Sequence, residues 1–171
     1  DVILIAGGGA GGSGTGHSNN HHTYIAGGGG GGGGIVEYYG YQVNVGTYPI
    51  YVGKHGTTQT GSSLAGDGEY STFDGLKAFG GGMGGVNNVP ARNGGSGGGG
   101  TYNSGRGSVD GGNGITNQGF AGGNNDSSHT GGGGGGAGGV GVSGNSNNSR
   151  PDGGPGKFIT FYSNTGQYYS G

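Results

Sequence analysis

The sequence predicts a mainly irregular and β protein: a bundle, or sandwich, of packed polyglycine II helices, anchored by a small antiparallel β unit and with almost no α-helix. Glycine supplies 57 of the 171 residues and is gathered in runs. Aromatic and β-branched residues collect in short segments between those runs, as strands require. Glycine also interrupts every window that could form a helix. A single domain over residues 1–171 is expected.

The composition excludes several classes of protein. Hydrophobic residues make up 26% of the chain and charged residues 8%, against about 45–50% and about 25% in ordinary domains, so a conventional apolar core is not available. Collagen needs glycine at every third residue and abundant proline, whereas these glycines are clustered and there are four prolines. The formal net charge of −2 gives no reason to expect nucleic acid as a partner.

The chain carries no cysteine, and no apolar run approaches the ~20 residues that span a bilayer, so no membrane insertion is expected. It begins with an aspartate, from which we expect a processed product or a piece of a longer polypeptide. No cofactor is expected either.

Five segments are predicted to be strands because they are rich in apolar, aromatic and β-branched residues. The second and third flank a turn at Gly46-Thr47 and are expected to pair as a hairpin. The first and last would bring the two chain ends together. The five segments are 2–6, 35–45, 48–53, 71–79 and 157–163.

The glycine runs have an internal period of three. Their exceptions are three residues apart, as in the pairs Ala10/Ser13 and Met83/Val86 and the series Ala137/Val140/Ser143. A polyproline-type helix repeats its faces every three residues, so each rod tolerates side chains on one face while the others touch neighbouring glycine. The predicted rods are 7–12, 27–34, 80–85, 94–100, 111–114, 119–123, 131–139 and 153–156.

One run has glycine on all three faces and is therefore predicted to be the innermost rod. At ~3.1 Å per residue it would be ~25 Å long, with all its backbone groups paired to neighbours because buried amides and carbonyls need partners. Its residues are Gly27, Gly28, Gly29, Gly30, Gly31, Gly32, Gly33 and Gly34.

No motif predicts catalysis or metal binding. Matches to GxGxxG are expected by chance in such a chain and lack the strand–loop–helix context that gives the motif meaning. His17, His21 and His22 would suggest a metal site on a helix, but glycine, serine and asparagine surround them, so a polar turn is favoured. No Ser/His/Asp set stands out, and we expect a protein that is not an enzyme and holds no metal.

The segments between the rods are rich in Asn, Ser, Tyr, His and Arg. Such loops on a rigid scaffold resemble binding surfaces. The alternative is that turns are rich in Asn, Ser and Gly for conformational reasons alone, and the sequence leaves the two readings open. The candidate receptor-binding residues are His21, His22, Tyr24, Asn88, Arg92, Tyr102, Arg106, His129, Asn147 and Arg150.

The order of these segments resembles the glycine-rich domain of bacteriophage tail-fibre and adhesin proteins. The resemblance covers the chain from VILIAGGGAGG through AGGGGGGGGIVEYYGYQVNVGTYPIYVG, EYSTFDGLKAFGGGMGG and GGGGGGAGGVG to GGPGKFITFYSNTG. It is similar to the tip adhesins of T-even-like long tail fibres, although the fibre-attachment domain of those adhesins is not visible in this sequence.

The resemblance implies a sandwich of polyglycine II helices whose loops touch a host receptor. It favours a non-enzymatic virion adhesin, located on a tail fibre or as a surface decoration, with a host surface protein or glycan and other fibre subunits as partners, in a homotrimer or at a fibre tip. The alternative is a purely structural subunit of a virion or extracellular fibre. An ice-binding polyglycine bundle is a third hypothesis. It is disfavoured because ice binding requires flat faces of regularly spaced small residues, whereas the residues expected to be exposed in this sequence are irregular.

Overall fold

The computed structural model describes residues 1–17, 23–58, 64–86, 89–103, 107–125, 130–145, 151–160 and 166–171. Over these ranges the chain forms eleven short strands and no helix, which confirms the predicted mainly irregular and β class. None of the described segments is a helix that could cross a membrane. The strands are β1 (Val2–Ile5), β2 (Thr15–His17), β3 (Thr23–Ile25), β4 (Ile35–Tyr38), β5 (Ile50–Tyr51), β6 (Ser71–Phe73), β7 (Leu76–Ala78), β8 (Tyr102–Asn103), β9 (Gly107–Ser108), β10 (Lys157–Ile159) and β11 (Gln167–Tyr169).

The glycine runs lie side by side and exchange backbone hydrogen bonds with a period of three. In the 27–34 rod, Gly28 and Gly31 donate to carbonyls of residues 85 and 82, whereas Gly29 and Gly32 donate to those of residues 132 and 135. Residues three apart therefore face the same neighbour. This is the arrangement expected of a threefold extended helix, which has no internal hydrogen bonds of its own.

The hydrogen bonds order the rods into layers. The first layer runs 6–13, 27–34, 131–136, 151–154, and each rod bonds to the next. The second layer runs 79–86, 94–100, 119–123, 141–144 and is bonded to the first along its length. Residues 111–115 begin a third layer against 94–100 and 119–123, while segments 54–57 and 65–69 flank the 6–13 rod. The first layer therefore has one face covered by the second layer and one face turned outward.

The central rod is 94–100, not 27–34 as its glycines alone predicted. Each residue from 94 to 100 both donates and accepts a backbone hydrogen bond, and residues 95–100 are all buried. In the 27–34 rod the amides of Gly27, Gly30 and Gly33 have no acceptor among the described residues, and half of the rod is only partly buried. A rod is central when neighbours surround it, and 94–100 is surrounded even though it carries Ser96, whose side chain is fully buried.

Most rod glycines leave no room for a side chain. A Cβ at any position from 27 to 34 would lie between 1.9 and 2.7 Å from the nearest heavy atom of a neighbouring segment. The side chains that do occur in rods fill small apolar clusters. Ala10 packs with Ala65, Met83 and Val86.

The remaining rod side chains differ in burial. Ala137 packs with Ile35 and Ile159 where the rods meet the sheets. Val140 is exposed, because the 131–139 run ends its rod at residue 136, where Gly136 bonds to Gly139 in a turn.

The three sheets that contain predicted strands were predicted only in part. β1 pairs with β4, but residues 39–45 of the predicted 35–45 strand are turn and irregular chain. The predicted pairing of 35–45 with 48–53 is wrong. The strand within 48–53 is β5, and it pairs with β6. β10 pairs with β11, a strand that the sequence did not predict.

The predicted strand 71–79 is a hairpin, β6 and β7, folded about Asp74-Gly75. Both turn residues have positive φ, 43° and 78°, which is the turn that an Asp-Gly pair between alternating apolar residues favours. The local signal in TFDGLK was therefore sufficient to predict the turn.

Candidate functional site

The two ends of the bundle differ. Hydrogen bonds place residues 12, 28, 85, 99, 123 and 132 at one level across the rods. Beyond that level the chain leaves the lattice in several connections, with described parts that include the hairpins β2–β3 and β8–β9. We call this the loop end. The opposite end carries β1, β4, β5–β7 and β10–β11, and we call it the sheet end.

The segments that flank most of the predicted binding residues emerge at the loop end. Tyr24 lies in β3 opposite Gly16, and Tyr102 lies half-buried in β8 opposite Ser108. The remaining candidates, apart from Arg92, lie outside the described residues: His21, His22, Asn88, Arg106, His129, Asn147 and Arg150. The described flanking residues nevertheless enter and leave the lattice at one end, which brings distant parts of the sequence together.

Arg92 has a place of its own beside the lattice. Its amide donates to the carbonyl of Met83 at 3.0 Å, and its carbonyl accepts from Gly98. Its guanidinium Nη1 lies 3.1 Å from Asp67 Oδ2, and the other oxygen of that carboxylate accepts from the Met83 amide. Both side chains are substantially exposed, so the pair contributes little to stability, but it holds the guanidinium against the side of the bundle.

Buried polar side chains, which the sequence did not single out, fasten the loop end to the rods. Thr101 Oγ1 donates to the carbonyl of Ala26 at 2.7 Å, and Thr101 is fully buried. Asn125, also fully buried, donates from Nδ2 to the carbonyl of Thr130. These bonds fix the points where three connections leave the lattice, because each satisfies a carbonyl that no rod reaches.

The sheet end is aromatic and apolar. The rings of Tyr38 and Tyr41 meet edge to face at 5.1 Å, and Phe73 lies 6.0 Å from Tyr41. The Tyr41 hydroxyl donates to Asp74 Oδ2 at 2.7 Å, and this hydrogen bond raises the pKa of Tyr41 to about 12. Lys77 Nζ lies 4.1 Å from the centre of the Tyr70 ring, within the range of a cation–π contact.

An apolar groove of about 530 Å³ opens at the sheet end beside β1. It is lined mainly by residues 1–5 and 50–52 together with Phe73 and Ile159. Exposed apolar side chains surround it, including Ile50 and Val52 at 67% and 74% exposure. Contiguous apolar patches on a protein surface often mark sites of interaction with another molecule.

The carboxylates and histidines of the described ranges form no candidate metal site. Nowhere in the described ranges do three His, Cys, Asp or Glu side chains come close enough to hold a metal ion. His55 contacts the neighbouring Gly56 carbonyl. The described residues form three kinds of surface, namely the loop end, the aromatic sheet end and the sides of the lattice.

Comparison with known proteins gives one finding. The whole chain, residues 1–171, matches a protein-family model described as a glycine-rich domain. Among curated proteins and solved structures, no significant match to the chain was found.

Proposed function

Since the chain belongs to the glycine-rich domain family, we propose that it is a non-enzymatic adhesin domain of a phage virion, which presents the connections of its loop end to a host surface protein or glycan. The observation that supports this role is the convergence of connections at one end of a hydrogen-bonded lattice. Binding loops positioned by a rigid scaffold are a recurrent solution for recognition.

The lattice suits this role because it separates stability from recognition. Rod residues are fixed by backbone hydrogen bonds and by the exclusion of Cβ atoms, whereas the connections carry the Tyr, His, Arg and Asn side chains. Loop residues that make no lattice bond can change without a cost to folding. Tyr, Ser, Gly and Asn supply adaptable contacts at low entropic cost in other binding surfaces.

The test compares two sets of substitutions in the purified domain. The first set, called the loop-end set, changes predicted binding residues in connections whose described flanks lie at the loop end: His21→Ser, Arg106→Ser, His129→Ser and Arg150→Ser. The control set changes exposed sheet-end residues, Tyr39→Ser and Tyr168→Ser. We expect the first set to abolish binding to host cells and competition with virions, and the control set to retain both. Unchanged binding by the loop-end set, with the fold intact by circular dichroism, would contradict the proposal.

One observation favours a second candidate, a purely structural subunit of a fibre. The apolar groove beside β1 and the exposed Ile50 and Val52 give the sheet end a surface suited to another subunit. If the chain is such a structural subunit, we expect Val52→Lys to disrupt assembly of the particle and the loop-end set to leave infectivity unchanged. Electron microscopy of particles carrying each variant separates the two candidates.

A further inference from the structure

The outward face of the first layer presents backbone amides without acceptors. Among the described residues, no hydrogen-bond partner is found for the amides of eight glycines on four adjacent rods. One of them, Gly33, is buried beside Ser170, whose hydroxyl donates to the Gly33 carbonyl. The other seven form one surface. We call this surface the glycine face; it consists of Gly8, Gly11, Gly27, Gly30, Gly131, Gly134 and Gly153. Six of the seven are exposed or partly exposed.

A groove of about 420 Å³ runs along this face between the 27–34 and 131–136 rods. Gly27, Gly30, Gly131, Gly134 and Gly153 line it. Its floor is main chain, with free amides at intervals of three residues along each rod. At ~3.1 Å per residue, successive free amides on one rod are about 9 Å apart.

Elsewhere in the described part of the molecule, several lattice amides beyond the reach of a rod are capped by side chains. Asp67 Oδ1 accepts from Met83 at 2.9 Å, Gln118 Oε1 from Phe79 at 2.8 Å, and Asn93 Oδ1 from Asn113 at 2.7 Å. Asn124 and Ser143 cap two further amides. None of the described side chains does this on the glycine face, so its amides remain available to an acceptor from outside.

Three of these glycines are not required by packing. A Cβ on Gly8, Gly11 or Gly153 would find its nearest neighbour at 3.6–3.7 Å, an ordinary contact distance, and none of the three has a positive φ. By contrast, a Cβ on Gly9 or Gly154 would lie about 2.2–2.3 Å from a neighbouring carbonyl oxygen. Glycine at positions where the lattice tolerates a side chain keeps the outer face smooth.

We propose that the glycine face binds an extended glycine-rich segment of another polypeptide chain, which lies in the groove as a further polyglycine rod and supplies carbonyl oxygens to the free amides. The molecule itself shows this solution, because the equivalent rows at Gly28/Gly31 and Gly29/Gly32 are each satisfied by carbonyls of a neighbouring rod. The situation parallels strand addition at a sheet edge, where main-chain hydrogen bonds supply the affinity.

A second copy offering the same face is a poor occupant. The carbonyls of Gly27 and Gly30 point sideways toward the Cα atoms of Gly131 and Gly134, so they are not offered outward. Two such faces placed together would therefore set amide donors against amide donors, with no acceptors between them. A chain with side chains on every face is also excluded, because they would hold its backbone away from the amides. The segment must carry glycine on the faces that enter the groove.

The experiment uses the intact domain, labelled with nitrogen-15, and a soluble peptide of eight glycines flanked by lysine pairs. We expect the peptide at millimolar concentration to move the amide proton signals of Gly27, Gly30, Gly131 and Gly134 downfield and to slow their exchange. A peptide with eight serines in place of the glycines is expected to leave them unchanged. The signals of 94–100 should not respond, since those amides are already bonded.

Two variants that leave the lattice intact decide whether the face is the site. Gly153→Leu places a side chain at the rim of the groove, at a position where a Cβ fits, and should abolish the shifts. Gly46→Leu is the matched control: Gly46 is exposed, its Cβ would lie 3.6 Å from the Tyr48 ring, and it is not part of the glycine face. This variant should retain the shifts.

Several outcomes would overturn the proposal. These are a folded domain that shows no response to the glycine peptide, an equal response to the serine peptide, or a response that survives Gly153→Leu. Shifts caused by dextran and not by the peptide would assign the face to a polysaccharide. Thermal hysteresis lost in Gly153→Leu would assign it to ice. The result is independent of receptor binding, because no loop-end residue is changed.

Discussion

At the scale of single residues, the lattice divides its glycines into two kinds. A Cβ on Gly28 would lie 1.9 Å from the Gly99 carbonyl oxygen, whereas one on Gly11 would have its nearest neighbour at 3.7 Å. The first kind of glycine is required by contact between backbones. The second kind is not required by contact, and its effect on stability is to add conformational freedom to the unfolded chain.

This division predicts opposite effects for the same substitution. Gly28→Ala should lower the free energy of unfolding by about 3 kcal/mol or more, because the rods must separate. Gly11→Ala should raise it by ~0.4–1 kcal/mol through the unfolded state. Urea unfolding of both variants measures the difference, and equal destabilisation would contradict the role assigned to inter-rod contact.

Buried hydroxyls predict a second pair of opposite effects. Ser96 Oγ is buried and has no hydrogen-bond partner among the described residues, so Ser96→Ala should stabilise the domain by about 1 kcal/mol by removing an unsatisfied group. Thr101 Oγ1 satisfies the Ala26 carbonyl, so Thr101→Ala should cost about 1–2 kcal/mol. Thermal unfolding of the two variants tests this; a loss of stability in Ser96→Ala would show that its hydroxyl is satisfied in solution.

At the scale of elements, a rod is protected according to its neighbours. In the 27–34 rod the bonded amides should exchange slowly with solvent, and the unbonded amides of Gly27, Gly30 and Gly33 should exchange faster, which gives a pattern of period three. The amides of 94–100 should be slow throughout. Hydrogen exchange measured by NMR distinguishes this from a flexible linker, in which all eight glycines of 27–34 would exchange fast.

The hydrogen bond from the Tyr51 hydroxyl in β5 to the Glu69 carboxylate predicts that the free energy of unfolding depends on pH. The Tyr51 hydrogen bond, followed by the Lys54 amide, lowers the pKa of Glu69 below 4.5, so its contribution is lost as pH falls through that lowered value. The same bond raises the pKa of Tyr51 above 10.0, so the contribution is also lost as pH rises through that raised value.

The measurement is the free energy of unfolding as a function of pH. Tyr51→Phe should flatten both limbs of the curve relative to the unsubstituted protein, and Tyr168→Phe, a change at a tyrosine exposed by 72%, should reproduce the original curve. A Tyr51→Phe curve that keeps both limbs would show that other groups carry the dependence.

The sequence predicts the rods but not their order. The threefold spacing of Ala10/Ser13 and Met83/Val86 follows from contact geometry and is readable from the chain. Which run pairs with which is not, because glycine amides are chemically alike and any run can bond to any other. The central place therefore went to 27–34 in the prediction and to 94–100 in the structure.

The candidate site shows the same limit. The Tyr, His and Arg residues of the connections stand out by composition, and the flanks of those connections converge at the loop end. The glycine face does not stand out, because its positions differ from other glycines only in what surrounds them. Likewise, β5 pairs with β6 because tertiary contacts override the short turn at Gly46-Thr47.

At the scale of the whole molecule, the lattice joins the two ends into one unit. Gly98 bonds to the carbonyl of Arg92 and accepts from Gly112, and a Cβ on it would lie 2.0 Å from the Met83 carbonyl oxygen. Because each rod supports several others, loss of one removes the partners of its neighbours. Folding should therefore be cooperative, as in other single domains of this size.

Cooperativity is tested by following both ends during unfolding. The NMR signals of Tyr38 and Phe73 at the sheet end and those of Gly85 and Gly132 near the loop end should give the same denaturant midpoint. Gly98→Ala should shift both midpoints equally. Two separate midpoints would show that the ends unfold independently and that the lattice does not couple them.

The near absence of side chains from the 27–34, 94–100 and 131–136 rods has a consequence for resistance to proteolysis. Proteases select a scissile bond by gripping the side chains around it in an extended segment, and these rods are extended but offer only Ser96 to grip. The six Lys and Arg residues of the chain all lie elsewhere. Digestion is thus directed to the connections and the sheets, and a nicked domain keeps its scaffold, since the cut ends stay tied by bonds between main chains.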